Sequence, residues 1–389
     1  MSWNRSCRRM RIRDVLILLI SLIFSLQAVA QEYNKVVDGR DTIYYNYVPI
    51  QQQETQLKVR TTFSVAPIYT PATSFAIGAA VQSRYSTAKS SNALFSAAAV
   101  VSIRGMYSVG VTNINPFSGG KHQLAVSISV SAMPTKFWGV GYDTATQNNA
   151  LNYTRRHYSA EVEYLGRVAK NLYLGPRVEL AYNDCKDDFG TISHLLPDKA
   201  EGKIIATTIS LIAKYDTRDS RSNPQKGLYL TLRPFIRPSF ISNTTDTSFG
   251  VEGALSGYQR LWKGAILAGE LYALLGSQNT PWQFYAEVGD SHRMRGYYEG
   301  QFRDVNLVTA QVELRQSIWR GIGVAAWAGA GNSFGTFKKF CWSQTLPNYG
   351  LGVRWVASDS LVFRFDYGFG ARVGGRLING ALFSVGSAF

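Results

Sequence analysis

The chain has 389 residues, a formal charge of +15, 46% hydrophobic and 13% aromatic residues, and 35 glycines. That aromatic and glycine content is unusual for a helical protein and suits β structure. The basic balance does not indicate nucleic acid, because Lys and Arg are dispersed among apolar residues with no basic run and no binding motif. Two other readings of the charge stay open: basic loops that meet anionic lipid headgroups or lipopolysaccharide phosphates, and a solvated surface of scattered cations.

The N-terminus reads as a secretory signal peptide over 1–30. Arg5, Arg8, Arg9, Arg11 and Arg13 form a basic region, Val15 to Leu26 an apolar core, and Ala28-Val29-Ala30 a small-residue cleavage site before Gln31. The apolar run is shorter than the roughly 20 residues that a spanning helix needs. Removing the signal leaves about +11 on the mature chain. A short periplasmic segment, 31–60, follows; Gln51-Gln52-Gln53-Glu54 within it reads as a solvated linker, and the segment is too short to fold without staples.

From residue 61 to 389 the dominant period is two. In Leu361-Val362-Phe363-Arg364-Phe365-Asp366-Tyr367-Gly368-Phe369 the odd positions are apolar, while the even ones are mostly small or charged. Leu228, Leu230 and Leu232 alternate with Tyr229, Thr231 and Arg233 in the same way. Strands of about 10 residues with one greasy and one wet face fit a transmembrane barrel. The expected strands are 61–70, 74–84, 92–103, 106–114, 121–132, 153–167, 170–184, 203–216, 227–238, 246–261, 264–276, 305–319, 321–332, 347–357, 360–371 and 378–389. The fold class is therefore all-β, an antiparallel transmembrane barrel of about sixteen strands. Connections after even strands are mostly tight, as at Ala169-Lys170-Asn171 and Arg320-Gly321, and those after odd strands include the long stretches 133–152, 185–202, 277–304 and 333–346. Both termini then lie in the periplasm, and 277–304 is the sixth external loop.

Candidate chemistry is sparse. His122, His157, His194 and His292 lack metal-ligand spacing, no local pattern suggests an activated serine, and Gly119-Gly120 and Gly374-Gly375 read as turns. No catalytic group, metal or cofactor is expected. Cys185 and Cys341 fall on external loops of one membrane side, which leaves both a disulfide and two free thiols open. Pro67 in the first strand and Gly380 and Gly386 in the last mark a closing seam weaker than other strand pairs, because proline donates no ladder hydrogen bond and glycine packs poorly. The alternative is that Pro67 marks the frayed start of an ordinary barrel.

Met294-Arg295-Gly296-Tyr297, preceded by Phe284-Tyr285-Ala286-Glu287-Val288-Gly289-Asp290, resembles the sixth-loop motif of the BamA/TamA bacterial surface antigen family of outer-membrane barrels. Three further segments are similar to that family in the same order: Phe137-Trp138-Gly139-Val140-Gly141-Tyr142-Asp143; Tyr215-Asp216-Thr217-Arg218-Asp219 with Asn223-Pro224 and Gly227; and the ending Phe383 to Phe389. The resemblance implies that the sixth loop folds into the lumen and that Arg295 pairs with acids on the twelfth and thirteenth strands. Glu313 occupies the first of these positions. The second is missing, since the chain reads Trp327-Ala328-Gly329-Ala330-Gly331 there, and Asp366 is the substitute expected. The other reading of Arg295 is a cation on a solvated loop tip.

The resemblance further implies a lateral gate at the seam, other envelope proteins as partners, and use of the general outer-membrane assembly machinery for the barrel's own insertion through the last strand ending at Phe389. The POTRA domains by which assembly members receive clients are not expected in 31–60. Three function classes stay open: insertion or translocation of proteins or lipids through the seam, a passive or gated pore, and an accessory or structural subunit of an outer-membrane complex.

Overall fold

A computed structural model of the protein describes residues 59–87, 90, 92–147, 150–186, 202–220, 223–358, 361–374 and 376–385. The expected signal peptide over 1–30, residues 31–58, Gly386 and Phe389 lie outside the described residues.

The chain runs through β1 (Arg60–Thr70), β2 (Ser74–Tyr85), β3 (Ala93–Ser102), β4 (Tyr107–Phe117), β5 (His122–Phe137), β6 (Leu151–Ala169), β7 (Leu172–Lys186), β8 (Lys203–Asp216) and β9 (Gly227–Arg237). It continues through β10 (Ser248–Trp262), β11 (Ala265–Gly276), β12 (Ala286–Glu287), β13 (Arg303–Asp304), β14 (Asn306–Trp319), β15 (Ile322–Phe334), β16 (Leu346–Ser358), β17 (Leu361–Val373) and β18 (Arg376–Val385). All except β12 and β13 form one closed antiparallel barrel of 16 strands, with β1 against β18. β12 and β13 pair with each other inside the loop between β11 and β14.

The distribution of polarity is inverted relative to a water-soluble protein. Val312 is 53% and Leu314 37% exposed, while Glu313 between them is fully buried. Leu228, Leu230 and Leu232 are exposed likewise, and the buried set includes Glu163, Glu270, Arg315, Arg354, Arg364 and Asp366. Lipid as the outer solvent explains this, since a closed barrel satisfies its backbone internally and presents apolar side chains outward. Trp262, Trp319 and Trp355 are exposed close to the tight-turn end of their strands, and Trp355 stacks on Phe363 at 5.2 Å between ring centroids, as expected of an interfacial aromatic girdle.

The tight turns rest on residues that tolerate positive φ. Gly264 (+78°) and Gly321 (+82°) make the β10–β11 and β14–β15 turns, and in each a side chain at that position would press on a neighbouring strand.

Two elements at the opposite, long-loop end depart from expectation. β5 runs to Phe137 rather than 132, because Met133 to Phe137 stay in register with Arg155 to Leu151. These rungs carry Thr135, Lys136, Asn152 and Arg155, and a ladder that projects into water needs no apolar face. The same connection holds a short helix, α1 (Tyr142–Gln147), which alternation with period two does not reveal.

Candidate functional site

The inner faces of β14 to β17 carry a cluster of ion pairs that receives the loop between β11 and β14. Alternation places Glu313 and Arg315 on the inner face of β14, Trp327 on β15, Asn348 and Arg354 on β16, and Arg364 and Asp366 on β17. Arg295 is fully buried, and its Nη1 donates to Glu313 Oε2 at 2.6 Å and to Asp366 Oδ2 at 3.0 Å. Its guanidinium lies 3.7 Å from the centroid of the Trp327 ring. A tryptophan face thus stands on the strand where the family motif implies an acid, and cation–π attraction partly replaces the missing charge. Trp327 is held in turn: its Nε1 donates to Asn348 Oδ1 at 3.0 Å, and its ring covers Gly350, where a side chain would collide with it. Asn348 Nδ2 also donates to the Arg295 carbonyl.

Three further arginines share the same two carboxylates. Arg315 Nε donates to Glu313 Oε1 at 2.6 Å, and Arg354 donates to Glu313 Oε2 at 3.2 Å and to Asp366 Oδ1. Arg364 Nη1 reaches Asp366 Oδ2 at 3.4 Å, while its Nη2 donates to the Ser291 carbonyl at 2.9 Å.

A track of glycines on the last strands admits the loop tip. Gly296 has φ +100° and lies against the Gly368 backbone, so that a Cβ at Gly368 would overlap the Arg295 carbonyl. A Cβ at Gly370 would meet the Tyr297 ring, and one at Gly380 would meet Pro71 and the Gly296 carbonyl. Tyr297 closes this contact, donating from its hydroxyl to the Pro347 carbonyl at 2.6 Å and accepting the Ala371 N–H at 2.7 Å.

The motif around Phe137 to Asp143 meets the same loop. Trp138 packs edge-on to Tyr298 at 5.0 Å, Tyr142 stacks on Phe302 at 5.7 Å, and the Gly141 N–H donates to the Arg303 carbonyl at 2.9 Å. Arg303 pairs with Glu287 at 3.0 Å, and Arg293 with Glu270 at 2.8 Å. The Asp216 motif lies elsewhere, at the tight-turn end, where Arg218 pairs with Asp216 at 2.9 Å and covers the Tyr229 ring at 3.9 Å.

Glu299 gives the loop a titration. Burial, followed by the charges of Glu287 and Asp290, pushes its carboxyl up to about 8 against the opposing pull of Arg155 and Arg303. A carboxyl raised in the docked state binds more protons there than when released, so docking is strongest below the ordinary carboxylate range near about 4.3 and weakens as pH rises through about 8. Protease sensitivity of residues 280–303 is expected to increase over that window and to be flat in Glu299→Gln. Equal slopes in both proteins would show that Glu299 is not responsible.

At the closing seam the pairing differs sharply on the two sides of β1. β1 and β2 stay in register from Arg60↔Arg84 to Thr70↔Ser74, whereas β1 and β18 share one registered pair among the described residues, Tyr69↔Phe383. Pro67 lies in β1, two residues from that pair, and Gly380 lies against Pro71. Both cysteines are free thiols in the structure. Cys185 is buried with Phe137, Tyr153 and Trp282, and Cys341 is exposed with its sulfur 3.0 Å from the Ser343 hydroxyl.

Arg315, Arg354 and Asn348 were not singled out by motif, and Trp327 entered only as the first residue of the segment that lacks the second acid. Strand alternation alone puts all four on the Glu313 side of the wall, and that is the signal by which they are found.

Fold and site together define a closed 16-strand β-barrel of the outer-membrane type. The chain belongs to the Omp85 superfamily, whose domain matches residues 91–389. Among solved structures it is similar to BamA from Haemophilus ducreyi lacking POTRA domains 1–3, with a TM-score of 0.58 and 10% identity over 84% of this chain and 70% of that one. It is also similar to CdiB from Acinetobacter baumannii (TM-score 0.55, 10% identity, 85% of this chain and 60% of that one) and to CdiB from Escherichia coli (0.57, 12%, 84% and 62%). The chain thus spans less than two thirds of either CdiB chain. Among curated protein sequences none is significantly similar to it.

Proposed function

We propose that the barrel inserts or translocates proteins or lipids at the outer membrane through the seam between β1 and β18. The sixth external loop, 277–304, serves as a lumen plug held by Arg295. The observation that carries this reading is that, among the described residues, β1 and β18 share the one registered pair Tyr69↔Phe383, while β1 and β2 stay in register from Arg60 to Thr70. A seam with few ladder hydrogen bonds opens at lower cost than any other strand pair, and Pro67 and Gly380 keep it so. Pro67, Gly380, Gly386 and Phe389 are the seam residues in this reading, and the C-terminal sequence up to Phe389 is the part that the general assembly machinery recognises when it inserts the barrel. Transport needs no catalytic group, metal or cofactor. Lipids, lipopolysaccharide and other envelope proteins are the partners proposed, and basic residues on exposed loops suit phosphate headgroups. The charged inner wall favours a second reading, a pore that the loop limits.

Cysteines at positions 69 and 383, in a chain with Cys185→Ser and Cys341→Ser, test the seam. Directly opposed residues of an antiparallel pair stand at about 4.5–5.5 Å between Cα atoms, within disulfide range. The oxidised Tyr69→Cys/Phe383→Cys protein is expected to reproduce the outer-membrane protein and lipopolysaccharide profile of a depletion strain, with recovery on reduction. A normal profile in oxidised cells would rule out transport through this seam and leave the pore or an accessory role.

A further inference from the structure

The ion-pair cluster on the inner wall is short of negative charge. Four guanidiniums, Arg295, Arg315, Arg354 and Arg364, meet two carboxylates, Glu313 and Asp366, a net charge of +2. The register makes the imbalance worse, because Arg354 and Arg364 are direct cross-strand partners on β16 and β17. Like charges directly opposite destabilise a strand pair, and burial strengthens the repulsion.

Small residues separate these cations. Arg315 on β14 is opposite Ala325 on β15, and Arg354 on β16 is opposite Gly323 on the same strand. The inner wall between Arg315 and Arg354 therefore carries no side chain larger than a methyl group. Arg354 Nε and Arg364 Nε are buried donors with no acceptor among the described residues. Such donors are costly to leave unpaired beside a net positive charge, and a guanidinium is matched best by a bidentate oxyanion. The Arg315 and Arg354 side chains retain 10% and 8% exposure, against 1% for Arg364.

We propose that Arg315, Arg354 and Arg364 bind a phosphate-type oxyanion on the inner wall. A dianion supplies the two negative charges that Glu313 and Asp366 leave unbalanced and screens Arg354 from Arg364. Free inorganic phosphate and a lipid phosphomonoester share this chemistry.

The test is equilibrium dialysis of the full chain in maltoside detergent against radiolabelled inorganic phosphate, at constant ionic strength set by chloride. Stoichiometric binding is expected, with loss of at least tenfold in affinity in R354Q and in R364Q, equivalent to about 1.4 kcal/mol. Absence of saturable binding to the wild-type chain overturns the proposal, whatever the folding of the variants. So does undiminished binding in folded R354Q and R364Q, which would place the phosphate on another surface. Displacement of the label by micellar bisphosphorylated lipid A, but not by its dephosphorylated form, assigns the lipid. Saturable binding that lipid A does not displace assigns free phosphate.

Discussion

Glu313→Ala is expected to destabilise the folded barrel by about 3–5 kcal/mol, the range for removing one partner of a buried ion pair. The effect should be seen as a lower temperature for loss of the compact, fast-migrating form on gels. Glu313 is shared by Arg295, Arg315 and Arg354, and without it Asp366 is the one carboxylate left among four guanidiniums. Arg295→Ala should cost less, because it removes a cation from a cluster that holds an excess of them and leaves Glu313 paired with Arg315 and Arg354. Its effect falls on the loop, which loses the contact to both acids and to the Trp327 face. The order Glu313→Ala above Arg295→Ala follows from the charge count alone. If neither substitution changed protein level or heat-modifiable migration, the ion pairs would have no part in holding the loop.

Gly368→Ala is expected to release the loop tip and give discrete channel currents in planar bilayers where the parent protein passes little. The position tolerates no side chain while the loop is docked, since the added Cβ would overlap the Arg295 carbonyl. Flexible side chains move aside at a cost of about 1–3 kcal/mol, but here the obstacle is backbone on both sides, so overpacking is not relieved by a rotamer change. Arg295 then leaves Glu313 and Asp366, and Tyr297 loses the hydroxyl contacts to Pro347 and Ala371. Deletion of residues 280–303 is the control and should conduct similarly. A silent Gly368→Ala protein beside a conducting deletion would mean that the tip stays docked in spite of the glycine track. If both were silent, the loop would not be what limits flux.

The barrel was legible because lipid on one side and water on the other leave a two-residue period along strands such as β9, β14 and β17. The strand ends were less legible where β5 and β6 rise past the hydrocarbon, since a ladder in water is held by backbone hydrogen bonds and accepts polar rungs such as Lys136 opposite Asn152. Alternation also places Glu313, Asp366 and Arg364 on one face without any motif. What it does not carry is how far apart those residues stand across strands. Trp327 occupies an expected acid's strand, yet nothing in the sequence around it says that its ring would lie over Gly350 and under Arg295.

The sequence by itself determined the architecture, the family and the face of each strand, because these follow from local period and from motifs in order along the chain. Tertiary structure alone decided the site. Register brings Arg354 opposite Arg364 and Gly350 opposite Gly368, and the loop contacts close over sequence separations such as the 71 residues between Arg295 and Asp366. The physical reason is that ion pairing, stacking and steric fit depend on distances across the barrel, and a period read along one strand contains no distance to the next.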